Sequence, residues 1–237
     1  AIFTRGGEDL KHTAIYIGGS NVADGEAVLK AVEKTFFGPR VSVMMDANGA
    51  NTTSAAAVLC ALEHLSGVNM HALVLAGTGP VGQRVARLLA RQGARVRLAS
   101  RSQDRAAETC QALSAAVPRG HFEPVGTSSL ESTHAALAGI NVVFAAGAAG
   151  VPLLTAQARE EARDLQVAID LNAVPPLGLE GVSPNDKGKQ RGHVLTYGAL
   201  GVGGLKMKIH KACLRKLFES TSHVFDAETI FQVGREL

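Results

Sequence analysis

The sequence predicts an α/β fold: a doubly wound parallel sheet joined to a second, smaller α/β domain that the C-terminal helices complete. Three observations carry this. Short β-branched apolar runs alternate with helical stretches along most of the chain, the pattern of β-α-β units with right-handed crossovers. The alternation runs twice, weakly over residues 13–66 and more sharply from residue 71. A glycine-rich hexapeptide, Gly77-Thr78-Gly79-Pro80-Val81-Gly82, joins one apolar run directly to the helix after it.

The elements follow in order. TAIYIG (13–18) is a strand, and residues 21–36 form a helix with Val28, Leu29, Val32 and Phe36 at helical spacing, stopped by Gly38-Pro39. RVSVMMD (40–46) is a second strand, and 54–66 a helix ended by Gly67. HALVLAG (71–77) then begins the larger sheet, followed by a helix over 80–92, the strand ARVRLAS (94–100), a helix over 102–116 and a short strand over 121–125. NVVFAAG (141–147), QVAIDLN (166–172) and HVLTYG (193–198) are further strands, with helices over 128–138 and 153–164 between them. Helices over 204–219 and 226–236 close the chain. The domain limits that follow are 1–66 and 204–237 for the smaller domain and 67–203 for the larger.

Composition narrows the function. With 237 residues, 46% hydrophobic and 19% charged, the chain can bury two modest cores and is not globally disordered. It has no Trp and only 4% aromatic residues, which argues against a stacking platform for single-stranded nucleic acid. The net charge of +3 decides nothing. Cys60, Cys110 and Cys213 lie far apart without a CxxC pair, so a reduced, cytoplasmic protein is expected. The eight histidines show no metal-ligand spacing, so no metal is expected, and no apolar run suggests a membrane span or signal peptide. The chain opens at Ala1 in sequence that already reads as folded, and a further N-terminal segment is expected before it.

The hexapeptide carries the strongest chemical signal. A GxGxxG that ends a strand and opens a helix is the phosphate turn of a Rossmann domain. There Gly77 serves the tight turn, Gly79 lets a pyrophosphate approach the backbone, and Gly82 lets helix and strand pack closely. The helix N-terminus offers free N–H groups to the phosphates. NAD-binding domains usually place an acid at the end of the next strand to hold the ribose 2′-hydroxyl; this chain has Ser100-Arg101-Ser102 instead. Arg101 can fork onto a 2′-phosphate and the two serines can donate to it, so NADP is the expected cofactor.

Several segments resemble the NADP-dependent methylene-tetrahydromethanopterin dehydrogenases of bacterial one-carbon metabolism: TRGGEDLKHTAIYIGG (4–19), FFGPRVSVMMDANGANTTSAAA (36–57), VLAGTGPVG (74–82), DLNAVPPLGLEGV (170–182) and YGALGVGGLKMKIHKACLRKLFES (197–220). DANGANTT, NAVPPLG and GALGVGGLK are the specific ones. The family is distantly similar to the folate methylene dehydrogenase/cyclohydrolases. The resemblance implies a two-domain homo-oligomeric enzyme with a cleft between an NADP domain and a pterin domain. It implies oxidation of the methylene bridge between two pterin nitrogens to a methenyl cation, a step of formaldehyde oxidation, with the folate analogue as a further substrate.

That reaction needs no base, because the cation is stabilised by the nitrogen lone pairs; it needs orientation. Lys206, just after GVGG at the expected start of a helix, is the expected catalytic side chain, since a cation is disfavoured there without a reason. The resemblance points to the same Lys206. Asp46, Asn48, Thr52 and Thr53 lie in the DANGANTT turn and, by resemblance, face the pterin, although Asp and Asn also make good caps. Asp170 and Asn172 close another strand and either line the nicotinamide or fix the turn before Pro175-Pro176. Gly147 and Ala148 offer the cofactor ribose a close approach or simply pack. DKGKQRG (186–192) reads as a solvated loop rather than a nucleic-acid patch. Leu205, Ile209, Cys213 and Leu217 recur every four residues as core. Two other functions stay open: an NADP enzyme acting on a polyol or carbonyl with Lys206 and Asp46 as its pair, and a non-catalytic NADP-binding sensor.

Overall fold

The structure, a computed structural model, describes residues 6–36, 38 and 40–237. Residues 1–5 and Pro39, the expected partner of Gly38 in stopping the first helix, lie outside them. In chain order the elements are β1 (Ala14–Ile17), α1 (Val22–Lys34), β2 (Ser42–Met45), α2 (Ala50–Leu62), β3 (His71–Leu75), α3 (Pro80–Arg91), β4 (Arg95–Ser100) and α4 (Gln103–Ala116). Then come β5 (His121–Gly126), α5 (Leu130–Ala135), β6 (Val142–Ala145), α6 (Ala156–Glu161) and β7 (Val167–Asp170). The chain ends with β8 (Lys187–Arg191), β9 (Val194–Tyr197), α7 (Ala199–Lys216), β10 (Val224–Phe225) and α8 (Ala227–Arg235). Two compact units result, one of Ala1–Ala55 with Leu205–Leu237 and one of Ala56–Gly204, the divisions falling inside α2 and α7.

The first unit is built on a three-stranded sheet, β1-β2-β10, in which both outer strands run parallel to β2. β2 is buried along its whole length, as a central parallel strand covered on both faces must be. Ser42 ties the last strand in: its hydroxyl donates to the Ser220 carbonyl at 2.7 Å and accepts from the His223 N–H at 3.1 Å. Ile209 and Cys213 of α7, and Leu217 just after it, are buried as expected, while Leu205 is half-buried. Lys208, Lys211 and Arg215 face solvent. α1 starts on Asn21, whose side chain accepts from the Ala23 and Asp24 N–H groups. Its Gly25 lies so close to the turn after β2 that a Cβ there would stand 2.9 Å from the Ala47 Cβ.

The second unit is a seven-stranded sheet in the order β5-β4-β3-β6-β7-β9-β8, parallel throughout except for β8. Counted from β3 this is the doubly wound 3-2-1-4-5-6 order, and its switch point lies between β3 and β6. Leu73, Leu75, Val143, Ala168 and Leu179 form the centre of one buried cluster. β5, on one edge, contains Pro124.

Three stretches differ from the sequence expectation. α2 begins at Ala50 rather than 54, because Asp46 caps it from four residues upstream. α7 begins at Ala199 rather than 204. Glycine at its start is a packing requirement: a Cβ on Gly198, just before the helix, would lie 2.0 Å from the Ser183 carbonyl oxygen, and one on Gly201 1.8 Å from that of Asp186, whereas Gly203 and Gly204 meet nothing within 4 Å. The N–H groups of Leu200 and Gly201 both donate to the Pro184 carbonyl, so tertiary contacts override the low helix propensity of glycine. Residues 186–192 are not a solvated loop. β8 pairs antiparallel with β9, with an irregularity between Lys187 and Lys189 and φ +61° at Gly188. The buried Asp186 carboxylate accepts from both Arg191 Nε and Nη2, from the Ser183 N–H and from the Thr196 hydroxyl.

Burial alone would raise the Asp186 carboxyl, but the bonds from Arg191, Ser183 and Thr196 together with the Arg191 charge outweigh it, leaving the group below the ordinary carboxylate range. A depressed acid takes up its proton in the unfolded chain first. Its stabilisation is therefore present above about pH 4 and is lost as pH falls through the lower folded value. Asp186→Asn is expected to cost about 1–3 kcal/mol at neutral pH and to flatten the acid limb of the stability–pH curve, measured by urea unfolding.

Candidate active site

The second unit's phosphate turn divides its three glycines between two jobs. A Cβ on Gly77 would stand 2.7 Å from Leu98 Cγ and 2.8 Å from the Val74 carbonyl oxygen. One on Gly82 would stand 2.7 Å from Gly77 Cα. Both glycines are therefore demanded by strand and helix packing. Gly79 is different. Its φ of −75° suits any residue, and a Cβ would meet nothing closer than 3.6 Å. The open space at Gly79 borders the N-terminus of α3, where Pro80 takes the first position and Val81 and Gly82 offer N–H groups without helical acceptors. This space and these donors fit a pyrophosphate. Thr78 is half-buried, and its carbonyl accepts from the Gln83 side chain at 2.7 Å. Ala76, immediately before the turn, adopts φ +52°, a conformation costing an alanine about 1–2 kcal/mol.

The turn is tied to its neighbours by main-chain bonds from Gly77 N–H to the Ala99 carbonyl and from Ala146 N–H to the Leu75 carbonyl. At the end of β4, Ser100 is buried and accepts from the Ser102 N–H, while Ser102 caps α4 by accepting from the Arg105 N–H. Each serine hydroxyl thus keeps its proton for donation. The exposed Arg101 guanidinium makes no hydrogen bond or ion pair among the described residues. At the end of β6, a Cβ on Gly147 would press on Leu153 Cδ1 at 2.8 Å, so its smallness serves packing; Ala148 is exposed.

Asp170 and Asn172 are buried and occupied with their own loop. The Asp170 carboxylate accepts from the Asn172 and Leu179 N–H groups, and Asn172 accepts from the Val174 N–H and donates to the Pro176 carbonyl. Burial pushes the Asp170 carboxyl up even against those backbone bonds. A groove of about 720 Å³ between α5, α6 and residues 176–181 is lined by none of the expected site residues.

In the first unit the DANGANTT turn and α7 converge. Asp46 is 3% exposed. Its Oδ1 accepts from the N–H groups of Asn51 (3.0 Å) and Thr52 (3.1 Å), and its Oδ2 accepts from the Thr52 hydroxyl at 2.7 Å. The turn it holds passes through two left-handed residues, Asn48 at φ +53° and Gly49 at φ +62°. Lys206 lies on Gly49: a Cβ there would fall 2.5 Å from Lys206 Nζ and 3.9 Å from the Thr53 hydroxyl. Lys206 stands two turns inside α7 rather than at its start, because α7 begins at Ala199. A helix-end dipole therefore plays no part in its placement. What marks it is a half-buried ammonium with no hydrogen bond or ion pair among the described residues.

Two residues of this group escaped the sequence reading. His210 Nδ1 stands 3.6 Å from Asp46 Oδ2, and its ring meets Tyr16 edge-on at 5.9 Å. Partial burial and the Asp46 charge push the Tyr16 phenol up, so it remains a donor at neutral pH. The spacing of Lys206 and His210, four apart on a helix, was the available signal. Among the described residues no cluster of three or more His, Cys, Asp or Glu side chains could hold a metal ion, and no helix is long and apolar enough to cross a membrane.

The sheet order and the turn at its switch point define a dinucleotide-binding protein of the Rossmann class. Two family models match: methylene-tetrahydromethanopterin dehydrogenase, N-terminal, over residues 1–48, and shikimate/quinate 5-dehydrogenase over residues 60–177. The chain is 45% identical to a protein named Bifunctional protein MdtA from Methylorubrum extorquens strain AM1, over 100% of this chain and 83% of that one. It is 31% identical to the NAD(P)-dependent methylenetetrahydromethanopterin dehydrogenase of the same organism, over 93% of this chain and 77% of that one. The chain belongs to the methylene-tetrahydromethanopterin dehydrogenase family of oxidoreductases. Among solved structures it shares its fold with a transhydrogenase from Sinorhizobium meliloti (TM-score 0.53, 16% identity, 93% of this chain and 66% of that one). It shares it also with the ligand-free 5-ketofructose reductase of Gluconobacter sp. strain CHM43 (TM-score 0.53, 15% identity, 96% and 74%).

The two roles of the turn glycines are separable. Gly82→Ala is expected to destabilise the protein by about 1–3 kcal/mol, since the added methyl meets backbone. Gly79→Ala should leave the melting temperature within a degree or two, yet weaken NADP binding about tenfold or more, read by calorimetric titration. Equal binding by Gly79→Ala and the unaltered protein would remove Gly79 from the phosphate site.

Proposed function

We infer that the protein oxidises methylene-tetrahydromethanopterin to the methenyl form with NADP⁺ as acceptor, and that the methylene-tetrahydrofolate analogue is a second substrate. The observation that carries this is the Lys206 ammonium, half-buried, without a hydrogen bond or ion pair among the described residues, and resting on Gly49 beside Thr53. A cation so placed has donors to spare for an acceptor on a ligand. The family membership supplies the substrate class: one relative is named for methylenetetrahydromethanopterin and for NAD(P).

In this assignment the residues divide as follows. Residues 1–66 and 204–237 form the pterin part and 67–203 the cofactor part. Gly79 and the first N–H groups of α3 receive the pyrophosphate; Ser100, Arg101 and Ser102 receive the 2′-phosphate. When bound, the nicotinamide supplies the hydride acceptor. Lys206 orients the pterin by donating to it, with the exposed Asn48 and half-buried Thr53 framing the same surface, while the fully buried Thr52 supports it from beneath through Asp46. Asp46 anchors that surface rather than accepting a proton. Both of its oxygens are already occupied by donors, which speaks against an alcohol dehydrogenation that would recruit Asp46 as the base. Loss of hydride from a carbon between two nitrogens asks for no base. A cytoplasmic, homo-oligomeric enzyme completes the proposal; three buried free thiols favour a reducing compartment.

The test is a spectrophotometric assay of methylene-tetrahydromethanopterin with NADP⁺ and NAD⁺ in parallel. Turnover with a clear preference for NADP⁺ is expected, and NADP binding without turnover on either pterin or folate would overturn the assignment. Lys206→Ala should lower kcat by about 100-fold while leaving NADP affinity within about twofold. Arg101→Ala should raise the KM for NADP⁺ by about 10-fold or more, and that for NAD⁺ hardly at all. A parallel loss with both cofactors would place Arg101 away from the 2′-phosphate.

A further inference from the structure

His210, with Tyr16 beside it, is a group of the Asp46 cluster for which the proposed reaction has no evident use, since hydride transfer from a methylene carbon consumes no base. We propose that His210 is a positioning residue: through Asp46 it holds the turn on which Lys206 rests, and so sets where the Lys206 ammonium meets the substrate. This rests on the reading of Lys206 as the substrate contact.

The geometry is that of a two-point grip. Lys206 and His210 stand one turn apart on one face of α7. Lys206 bears on Gly49, at one end of the turn, and His210 faces Asp46, at the other. Between them the main chain passes through its two left-handed residues, and the Gly49 carbonyl accepts from the Thr52 hydroxyl at 3.3 Å. Asn48 N–H donates to the Gly19 carbonyl and Gly49 N–H to the Asp46 carbonyl. The side that faces α7 is secured at Asp46 by His210. Of the Asp46 oxygens, Oδ1 is saturated by two N–H groups of α2, while Oδ2 has the Thr52 hydroxyl and, across from it, the imidazole. Tyr16 meets the same imidazole in a T-shaped contact, ring centroids 5.9 Å apart.

At 3.6 Å the His210–Asp46 contact is an ion-pair distance, longer than a hydrogen bond. The His210 side chain is 23% exposed and that of Asp46 only 2%. Removing the imidazole therefore leaves a buried oxygen with one donor and opens space on the α7 side of the turn. α7 itself remains fastened by its buried Ile209 and Cys213 and by Leu217 just after it. The loss should thus appear in the placement of Lys206 rather than in global stability.

The experiment compares the unaltered chain with His210→Ala and His210→Asn, the latter keeping an N–H donor near the position of Nδ1. Two readouts are taken. In the methylene-tetrahydromethanopterin assay, His210→Ala is expected to lower kcat about tenfold with the KM for NADP⁺ unchanged, and His210→Asn to recover most of it. Without any ligand, brief acetic anhydride labelling followed by peptide mass spectrometry measures the reactivity of each amine. His210→Ala should raise labelling of Lys206 about threefold or more, by releasing it from Gly49, while the exposed Lys208 and Lys211 stay unchanged. Unaltered kcat in His210→Ala, equal losses in the Ala and Asn variants, or unaltered Lys206 labelling would each overturn the proposal. If the unaltered chain shows no turnover, the proposed function fails on its own, and the labelling comparison still decides whether His210 holds the turn.

Discussion

A single buried carboxylate organises the turn between β2 and α2 in the first unit. Leaving a charge such as Asp46 almost wholly out of water costs several kcal/mol unless donors surround it. Each of its donors also fixes a piece of structure. The Asn51 and Thr52 N–H groups are the start of α2, and the Thr52 hydroxyl locks the first turn of that helix; His210 of α7 faces the same carboxylate at 3.6 Å without a hydrogen bond. The left-handed turn between Asp46 and α2 then has no freedom to relax, and a bare glycine is left facing Lys206. Burial of one charge thereby sets a helix start, a strained turn and the seat of an amine.

Most of the sheet was legible because each buried parallel strand is a short apolar run bounded by punctuating residues, as in HALVLAG or NVVFAAG. The helix starts that were misplaced share one cause. Local sequence signals a helix start through a capping side chain at the first residue, but α2 is capped from Asp46 across an intervening 3-10 turn. α7 is capped by the carbonyl of Pro184, remote in sequence. Gly198 and Gly201 looked like a loop because the backbone they press against is also remote. β8 carries polar residues on both sides and β10 has only two residues, so neither shows the alternation of a half-buried strand.

The candidate site was legible to a similar depth. GTGPVG and its context mark a phosphate turn from sequence alone. The division of its glycines, two for packing and one for open space, depends on Leu98 and on the fold of the turn over Gly82, which only coordinates reveal. Lys206 and His210 could be seen to share a helix face. That the Asp46–Gly49 turn lies beneath that face could not.

The seven-stranded sheet ends on two strands that are poor templates for further pairing. On one side Pro124 in β5 removes a main-chain donor. On the other, β8 carries exposed Lys187 and Lys189 around a left-handed Gly188 and a break in register. A chain approaching either edge would meet a missing N–H, a kink or a row of ammonium groups, the means by which soluble sheets avoid growing into one another. Pairing of copies edge to edge through this sheet is thereby disfavoured, leaving it a closed boundary rather than a seam.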